Sequence, residues 1–169
     1  AFSATLPAGP YRVSVEATGY PSRDVPLDVA PGRDQQLDVT LRPANADVTL
    51  TPQAIVLRVP IKFRAGTPKL APAIKTELEA VADILADHPE IKTLRIEAHW
   101  SGAAKGKGSN AAKKMTAKQA AAIKDYLVAK GAPADRLEAV GVGGDVPLVP
   151  NLGPANQAKN RRVELVVVQ

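Results

Sequence analysis

The chain of 169 residues has the composition of an ordinary globular protein, with 45% hydrophobic and 23% charged residues, which excludes wholesale disorder. The absence of cysteine excludes disulfides, thiol nucleophiles and thiolate metal sites, and no run approaches the ~18 consecutive apolar residues of a transmembrane helix. The formal net charge of +5 favours an anionic partner, such as wall polymer, lipid headgroups or nucleic acid.

Residues 1–43 have the alternating pattern of short β-strands. Apolar and polar residues alternate in three runs, Tyr11 to Ala17, Val25 to Val29 and Leu37 to Leu41. Proline and glycine residues separate the runs, as expected for turns. A segment of about 40 residues rarely forms a self-sufficient core, so either upstream strands complete this unit or it packs on the rest of the chain.

A domain boundary is predicted at Pro43-Ala44-Asn45-Ala46, after which strand and helix patterns alternate. The predicted elements are, in order, strands at 48–50 and 54–63, a helix at 72–87, a strand at 93–99, a loop at 103–114, a helix at 116–130, and strands at 137–142 and 163–168. This alternation predicts an α/β fold with two main helices on one side of a four-stranded mixed sheet. A long loop, Gly144 to Lys159, would lead to the last strand.

The second predicted helix carries signals for both of its ends. Thr116 and Gln119 have the spacing of a capping box, in which the two side chains bond to backbone N–H groups of the first turn. Ile123 and Leu127 give the buried stripe, and Gly131 ends the helix. The box therefore predicts that the helix begins at Thr116 and gives Gln119 a structural role as the alternative to ligand binding.

Three motifs in residues 44–169 resemble the OmpA C-terminal family. They are Ile96-Glu97-Ala98-His99, Gly141-Val142-Gly143-Gly144-Asp145-Val146-Pro147 and Asn160-Arg161-Arg162-Val163-Glu164. The resemblance implies an OmpA-like α/β sandwich, a non-enzymatic module that holds the envelope of a Gram-negative bacterium to peptidoglycan. It therefore implies a periplasmic location.

Residues 1–43 show a second resemblance. The run Leu-Pro-Ala-Gly-Pro-Tyr-Arg-Val, followed by Gly19-Tyr20, is similar to the second half of carboxypeptidase-regulatory-like or PEGA-like β-sandwiches. Such modules are usually spacers or adhesion units. The two resemblances predict a partial antiparallel β-sandwich domain at 1–43 and an OmpA-like domain at 44–169.

The OmpA resemblance also implies a ligand groove, whose charged residues are replaced in this chain. In the family, the Asp of Gly-His-Thr-Asp and the Arg of Leu-Ser-x-x-Arg-Ala clasp the ammonium and carboxylate groups of a diaminopimelate residue. Here the matching stretches are Ala98-His99-Trp100-Ser101 and Met115-Thr116-Ala117-Lys118-Gln119-Ala120. Ser101 and Gln119 therefore stand where two strong charge-assisted contacts would be, which implies weakened or lost diaminopimelate binding.

Trp100 and Arg161 are the other candidate ligand-binding residues. Trp100 either stacks on a sugar or a partner chain, or packs under the adjacent loop. Arg161 and Arg162 either contact an anion in the groove or pair with carboxylates on the sheet. Several lysines form either a solvated face or a contact surface: Lys105, Lys107, Lys113, Lys114 and Lys118.

Two functional interpretations follow, and both are non-enzymatic because no catalytic pattern is recognisable. The first is a peptidoglycan-associating envelope module, and the alternative is a protein–protein interaction module of an envelope machine. Nucleic-acid binding is disfavoured, because the basic charge lacks interleaved aromatic residues and a recognition motif. Two separated histidines without cysteine predict no metal site, and no cofactor motif is present.

Overall fold

The computed structural model describes residues 3–18, 20–39, 41, 47–63, 67–101 and 107–168. Contacts within the chain group it into two compact units, Ala1–Ala44 and Asn45–Gln169, which are described separately. The assignment of 1–43 and 44–169 as two domains stays a prediction. In the described part of the chain no helix is both long and apolar enough to cross a bilayer.

The first unit contains a small antiparallel sheet of two strands, β1 (Gly9–Ala17) and β2 (Tyr20–Val29). Val13 lies opposite Val25 in the register, so the alternating apolar residues of both strands share a face. The third predicted strand is not seen among the described residues of its segment, since 37–39 and 41 are irregular; residue 40 lies outside the described chain. Alternation shows which face of a strand is apolar, but a strand also needs a neighbour that accepts its hydrogen bonds.

The second unit is a mixed α/β structure, as predicted. Its elements are β3 (Val48–Leu50), β4 (Ala54–Leu57), α1 (Lys75–Asp87), β5 (Thr93–His99), α2 (Lys107–Ala129), β6 (Leu137–Gly143), α3 (Gly153–Asn160) and β7 (Val163–Val168). The strands form one sheet in the order β3-β4-β7-β5-β6. β5 and β6 are parallel, and the other neighbouring pairs are antiparallel.

The prediction of four strands in this sheet is wrong, because the sheet has five. β3 and β4 join it as a hairpin whose second strand pairs with β7. The strand predicted at 54–63 is also shorter, and β4 ends at Leu57. Pro60 follows β4 and has no N–H to donate to a ladder, which fits this early end.

The core is aliphatic and lies between the sheet and the two long helices. Leu94, Ile96 and Ala98 of β5 are buried against side chains from both helices. The helix residues that take part are Leu78, Val81 and Leu85 of α1 and Ala120, Ile123 and Leu127 of α2. Burying each large aliphatic side chain contributes roughly 1.5–3 kcal/mol. The buried stripes predicted from helical periodicity are therefore confirmed.

The predicted capping box is wrong, because α2 begins at Lys107 and Thr116 lies inside it. The Thr116 hydroxyl is buried and donates to the Ala112 carbonyl oxygen at 2.9 Å, one turn back along the helix. Such a bond satisfies the hydroxyl without ending the helix. Residues 107–114, predicted as loop, are helical, and the predicted loop residues 103–106 lie outside the described chain.

α3 lies inside the segment predicted to be a long loop. Its composition, Gly-Pro-Ala-Asn-Gln-Ala-Lys-Asn, has no apolar stripe, so helical periodicity does not reveal it. Pro154 in the first turn is the one sequence feature typical of a helix start. The remaining residues between β6 and α3, 144–152, are called the β6–α3 segment below.

Candidate ligand-binding site

The candidate site lies where β5 ends, between the end of β6 and the start of β7. The backbone N–H of His99 donates to the Arg162 carbonyl oxygen at 2.9 Å, and that of Trp100 donates to the Gly143 carbonyl oxygen at 2.7 Å. These bonds extend the pairing of the three strands by one residue on each side. Trp100 and Ser101 are consequently held at a fixed place at the sheet end.

Trp100 and Arg161, two of the predicted site residues, are brought together by the fold. The Arg161 guanidinium carbon lies 5.9 Å from the centroid of the Trp100 ring, within the usual range of a cation–π contact. Arg161 is exposed, and no ion pair is found for it in the described part of the chain. The pair therefore places an exposed cation against a half-buried aromatic ring.

The two neighbouring arginines have different surroundings. Arg162 donates to a Glu164 carboxylate oxygen at 2.6 Å, and its guanidinium also approaches the Val146 carbonyl oxygen. Its side chain is mostly buried. Arg162 thus pairs with a carboxylate on the sheet, which leaves Arg161 as the arginine available to an external anion.

Ser101 is almost buried, at 9% exposure. Its backbone carbonyl oxygen accepts a hydrogen bond from the Asn151 side-chain amide of the β6–α3 segment. The segment is tied to the sheet end by this contact. An uncharged, buried serine gives a ligand neither an acid nor an open polar surface.

Gln119 is 7% exposed and lies on α2. Its side-chain amide donates to the Thr67 carbonyl oxygen at 3.4 Å, and among the described residues no hydrogen bond joins it to Ser101, Trp100 or Arg161. The structure therefore gives Gln119 a structural contact, although not the helix cap that the sequence predicts.

Asn160 organises the β6–α3 segment and was not predicted as a site residue. It is buried, and its Oδ1 accepts the N–H groups of Leu148 and Val149 at 2.9 and 3.1 Å. Its Nδ2 donates to the Val149 carbonyl oxygen at 2.9 Å. A buried side chain with both ends satisfied holds the segment in one conformation. The Asn-Arg-Arg run was the available sequence signal.

The lysines of α2 are divided between structure and solvent. Lys113 forms an ion pair with Asp145 of the β6–α3 segment, whereas Lys114 and Lys118 are exposed. Lys105 and the side chain of Lys107 lie outside the described chain. Asp145 therefore places a carboxylate beside α2. The sequence does not predict this contact, because Asp145 and Lys113 are far apart along the chain.

The β6–α3 segment also exposes apolar side chains. Val146, Leu148 and Leu152 are 57%, 60% and 76% exposed, more than most aliphatic residues of the unit. They lie in the same segment as Asn151, which contacts Ser101. The site therefore has an apolar border beside its cationic and aromatic part.

His99 lies directly before Trp100 and is buried. Burial lowers the pKa of its imidazole below the usual value, and the charge of Arg162 lowers it further, while Glu164, Glu97 and the Val146 backbone oppose the effect. The neutral imidazole is therefore favoured at pH 7.

Comparison with known proteins places this architecture in a family. The sequence model of the OmpA family matches residues 62–161. The chain belongs to the OmpA family. The resemblance inferred from the sequence motifs is therefore confirmed for this part of the chain, whereas the β-sandwich resemblance of residues 1–43 stays a prediction.

One relative of known name is the peptidoglycan-binding protein ArfA of Mycobacterium tuberculosis. It is 36% identical over 109 residues, which cover 64% of this chain and only 32% of ArfA. This chain thus spans about a third of the length of that relative.

Solved structures of the family have the same fold. The peptidoglycan-associated lipoprotein of Burkholderia pseudomallei superposes with a TM-score of 0.55 at 24% identity, covering 63% of this chain and 86% of the lipoprotein. A putative MotB-like protein of Desulfovibrio vulgaris gives a TM-score of 0.52 at 29% identity, covering 64% and 71%. The first likeness bears on the fold alone.

Proposed function

We propose that this chain is a non-enzymatic cell-envelope module that associates with peptidoglycan, with diaminopimelate binding that is weak or lost. The first part is supported by membership of the OmpA family over residues 62–161 and by the similarity to a protein named for peptidoglycan binding. Because that relative is mycobacterial, the proposed location is the cell envelope in general. The Gram-negative periplasm is one case of it.

The second part of the proposal, weak or lost diaminopimelate binding, is supported by the residues at the two positions where the family has its charged clasp. Ser101 and Gln119 are uncharged and almost buried, and the Gln119 amide is engaged by Thr67. A zwitterionic ligand needs one charge of each sign at a fixed separation, because charge-assisted hydrogen bonds are the strong ones. Neither position supplies such a charge.

The remaining attraction for wall polymer is assigned to the Trp100–Arg161 pair and to the exposed lysines of α2. An aromatic face beside a cation suits a sugar ring that carries an anionic group. Lys114 and Lys118 are exposed on the helix and add positive charge. Such contacts are mainly electrostatic, so the binding they support is weak and sensitive to salt.

Restoring the clasp tests the proposal. The double variant Ser101→Asp with Gln119→Arg is expected to bind a diaminopimelate-containing stem peptide more tightly than the wild type does, and each single variant should gain less. Each restored charge-assisted bond contributes roughly 1.5–3 kcal/mol. Both positions are nearly buried, so part of this gain is lost to desolvation and the expected improvement is about a hundredfold.

Calorimetric titration measures the affinities, and the fluorescence of Trp100, the only tryptophan, reports whether the peptide reaches the site. A matched control carries the same two charges on exposed residues of the first unit, Ser22→Asp with Gln36→Arg, and should gain nothing. Tight peptide binding by the wild type would refute the proposed weakening. Circular dichroism of each variant verifies that it is folded.

A second candidate function is protein–protein interaction within an envelope machine, and the exposed apolar side chains of the β6–α3 segment favour it. Under this alternative Leu148 and Leu152 contact the partner. A photo-reactive residue placed at 152 should then cross-link one envelope protein in cells, and Leu148→Ser should prevent it. No gain in the restored-clasp variant, together with such a cross-link, would favour this function over peptidoglycan association.

A further inference from the structure

We propose that Glu97, His99 and Glu164 form a binding site for a divalent cation of the zinc class. The site lies on β5 and β7, beside Trp100 and Arg161, and uses none of the side chains assigned to the proposed peptidoglycan contacts. Glu97 alternates with Ile96, and Glu164 with Leu165, both of which are buried in the core. The two carboxylates therefore lie on the sheet face that points away from the helices.

The three side chains already have nearly the spacing that one ion requires. The Nε2 atom of His99 lies 3.7 Å from Oε2 of Glu97 and 3.7 Å from Oε2 of Glu164. One potential ligand atom from each residue lies within 4.8 Å of the other two. Ligands about 2.0–2.1 Å from a tetrahedral ion are about 3.4 Å apart. The two histidine–carboxylate distances would have to shorten by about 0.3 Å, and the distance between the two carboxylates by up to about 1.4 Å, to reach this spacing. The second shift is a rearrangement of two partly exposed side chains rather than of the backbone.

His99 is the observation that distinguishes this group from an ordinary acidic cluster. Its side chain is 2% exposed, and within the described chain neither ring nitrogen makes a hydrogen bond of normal geometry, although the Val146 backbone lies near enough to raise the pKa of the imidazole. Buried polar atoms in proteins are nearly always paired, so an imidazole left in this state needs an explanation. An ion between Nε2 and the two carboxylates would supply the missing partner.

The two carboxylates are placed against each other by the strand register. Glu97 and Glu164 are direct partners in the antiparallel β5–β7 pair, where like charges are unfavourable. Arg95 lies 3.5 Å from Oε1 of Glu97, and Arg162 lies 2.6 Å from Oε1 of Glu164. Each arginine thus engages the Oε1 atom of its carboxylate, and both Oε2 atoms remain directed at His99.

The two arginines do not fully balance the acids on this face. Glu138 of β6 also accepts a hydrogen bond from Arg95, at 2.8 Å. Three carboxylates therefore share two guanidinium groups, and the cluster has an excess negative charge. A bound cation would offset this excess.

The donor set selects the class of ion. One imidazole nitrogen with two carboxylate oxygens suits zinc and similar first-row metals, whereas magnesium and calcium prefer oxygen ligands alone. Glu164 is 42% exposed and Glu97 is 21% exposed, so an ion can enter from solvent and water can complete its coordination. The sequence predicts no metal site, because Glu164 on β7 is distant from Glu97 and His99 on β5 along the chain.

Calorimetric titration of Zn²⁺ into the metal-stripped full chain tests the proposal. We expect one ion per chain, and removal of one ligand in Glu164→Gln should weaken binding at least ~10-fold, on the order of the effect of altering groups around a metal site. Glu164 is chosen because it is the most exposed of the three residues, so its replacement leaves the core intact.

Two matched controls keep the result specific. Glu138→Gln removes a carboxylate from the same sheet face, and His88→Gln removes the only other histidine, which lies 2.6 Å from Glu90. His88→Gln should bind Zn²⁺ as the wild type does. Glu138→Gln removes a negative charge but no ligand atom, so it should weaken binding less than Glu164→Gln does, and Mg²⁺ should not compete. Nitrogen chemical shifts of the two imidazoles should change on Zn²⁺ addition at His99 and not at His88. Equal affinity in Glu164→Gln, or loss of binding in His88→Gln, would overturn the proposal.

Discussion

At the scale of single residues, one glycine sets how closely α2 approaches the sheet. A Cβ atom built on Gly141 of β6 would lie 2.3 Å from the backbone nitrogen of Ala117 and 2.6 Å from the carbonyl oxygen of Lys113. Both atoms belong to the backbone of α2 and cannot turn away. The Thr116 hydroxyl accepts the Gly143 N–H at 3.1 Å, which fixes the same contact. Only glycine allows this approach.

The variant Gly141→Ala should therefore be destabilised by about 1–3 kcal/mol or more, because α2 must move off β6. Urea unfolding followed by Trp100 fluorescence measures the loss. Gly131→Ala is the matched control: it has a positive φ of 96° but no atom within 4 Å of the added Cβ. The control should lose about 1–2 kcal/mol through backbone strain alone, and a loss in Gly141→Ala that does not exceed the loss in the control would contradict the packing argument.

Arg136 acts on the end of α1. Its guanidinium donates to three carbonyl oxygens, those of Leu85 at 2.7 Å, His88 at 2.6 Å and Ile91 at 2.8 Å. The last carbonyl groups of a helix have no partner within it and carry the negative end of its dipole. One side chain thus satisfies the end of the helix and the turn that follows it.

Arg136→Met should lower the free energy of unfolding by about 1.5–3 kcal/mol, since it removes charged hydrogen bonds from half-buried carbonyl groups. Arg136→Lys should recover only part, because an ammonium group cannot reach three acceptors in a fixed plane. Chemical denaturation measures both values. Arg58→Met removes an exposed arginine from an ion pair and should change stability by less than about 1 kcal/mol. A similar small change in Arg136→Met would exclude the capping role.

At the scale of elements, α3 serves to hold the β6–α3 segment. Asn160, its last residue, is buried and binds the backbone of Leu148 and Val149. Neither the helix nor this asparagine contributes apolar area to the core. The role of α3 is therefore to hold the conformation of the β6–α3 segment, in which Asn151 contacts Ser101.

Asn160→Ala should loosen this segment while the sheet stays folded, because it leaves backbone groups of Leu148 and Val149 without partners. Amide hydrogen exchange at these two residues should accelerate, and exchange in β5 should not. Asn156→Ala, which removes one bond to the Pro150 carbonyl oxygen, is the control and should affect the segment less. Unchanged protection of Leu148 in Asn160→Ala would show that other contacts hold the segment.

The elements also show where sequence reasoning works. β5 and β7 were predicted with the correct ends, since each combines alternation or an apolar run with clear flanking turns. The start of α2 is misplaced because Thr116 has the residue type and spacing of a helix cap but lies about two and a half turns inside a continuous helix. α3 was missed because a short polar helix leaves no periodic signal.

At the scale of the whole molecule, the net charge of +5 predicts that binding to an anionic polymer depends on salt concentration. Retention on purified sacculi should fall between low and moderate salt, because exposed charges are screened over a Debye length of ~8 Å at physiological ionic strength. Arg161→Ala should reduce retention at low salt. Arg33→Ala removes an equal charge from an exposed residue of the first unit and should have a smaller effect. Retention that persists in high salt would indicate a specific pocket.

The sequence by itself determined the α/β class, the family and the buried helix stripes. Those features are periodic or contiguous along the chain, so neighbours in sequence are enough to reveal them. Only the tertiary structure decided which arginine is exposed and which pairs with Glu164, that Gln119 contacts Thr67, and that Glu164 lies near Glu97 and His99. These depend on strand register and on contacts between distant segments, which local patterns do not encode.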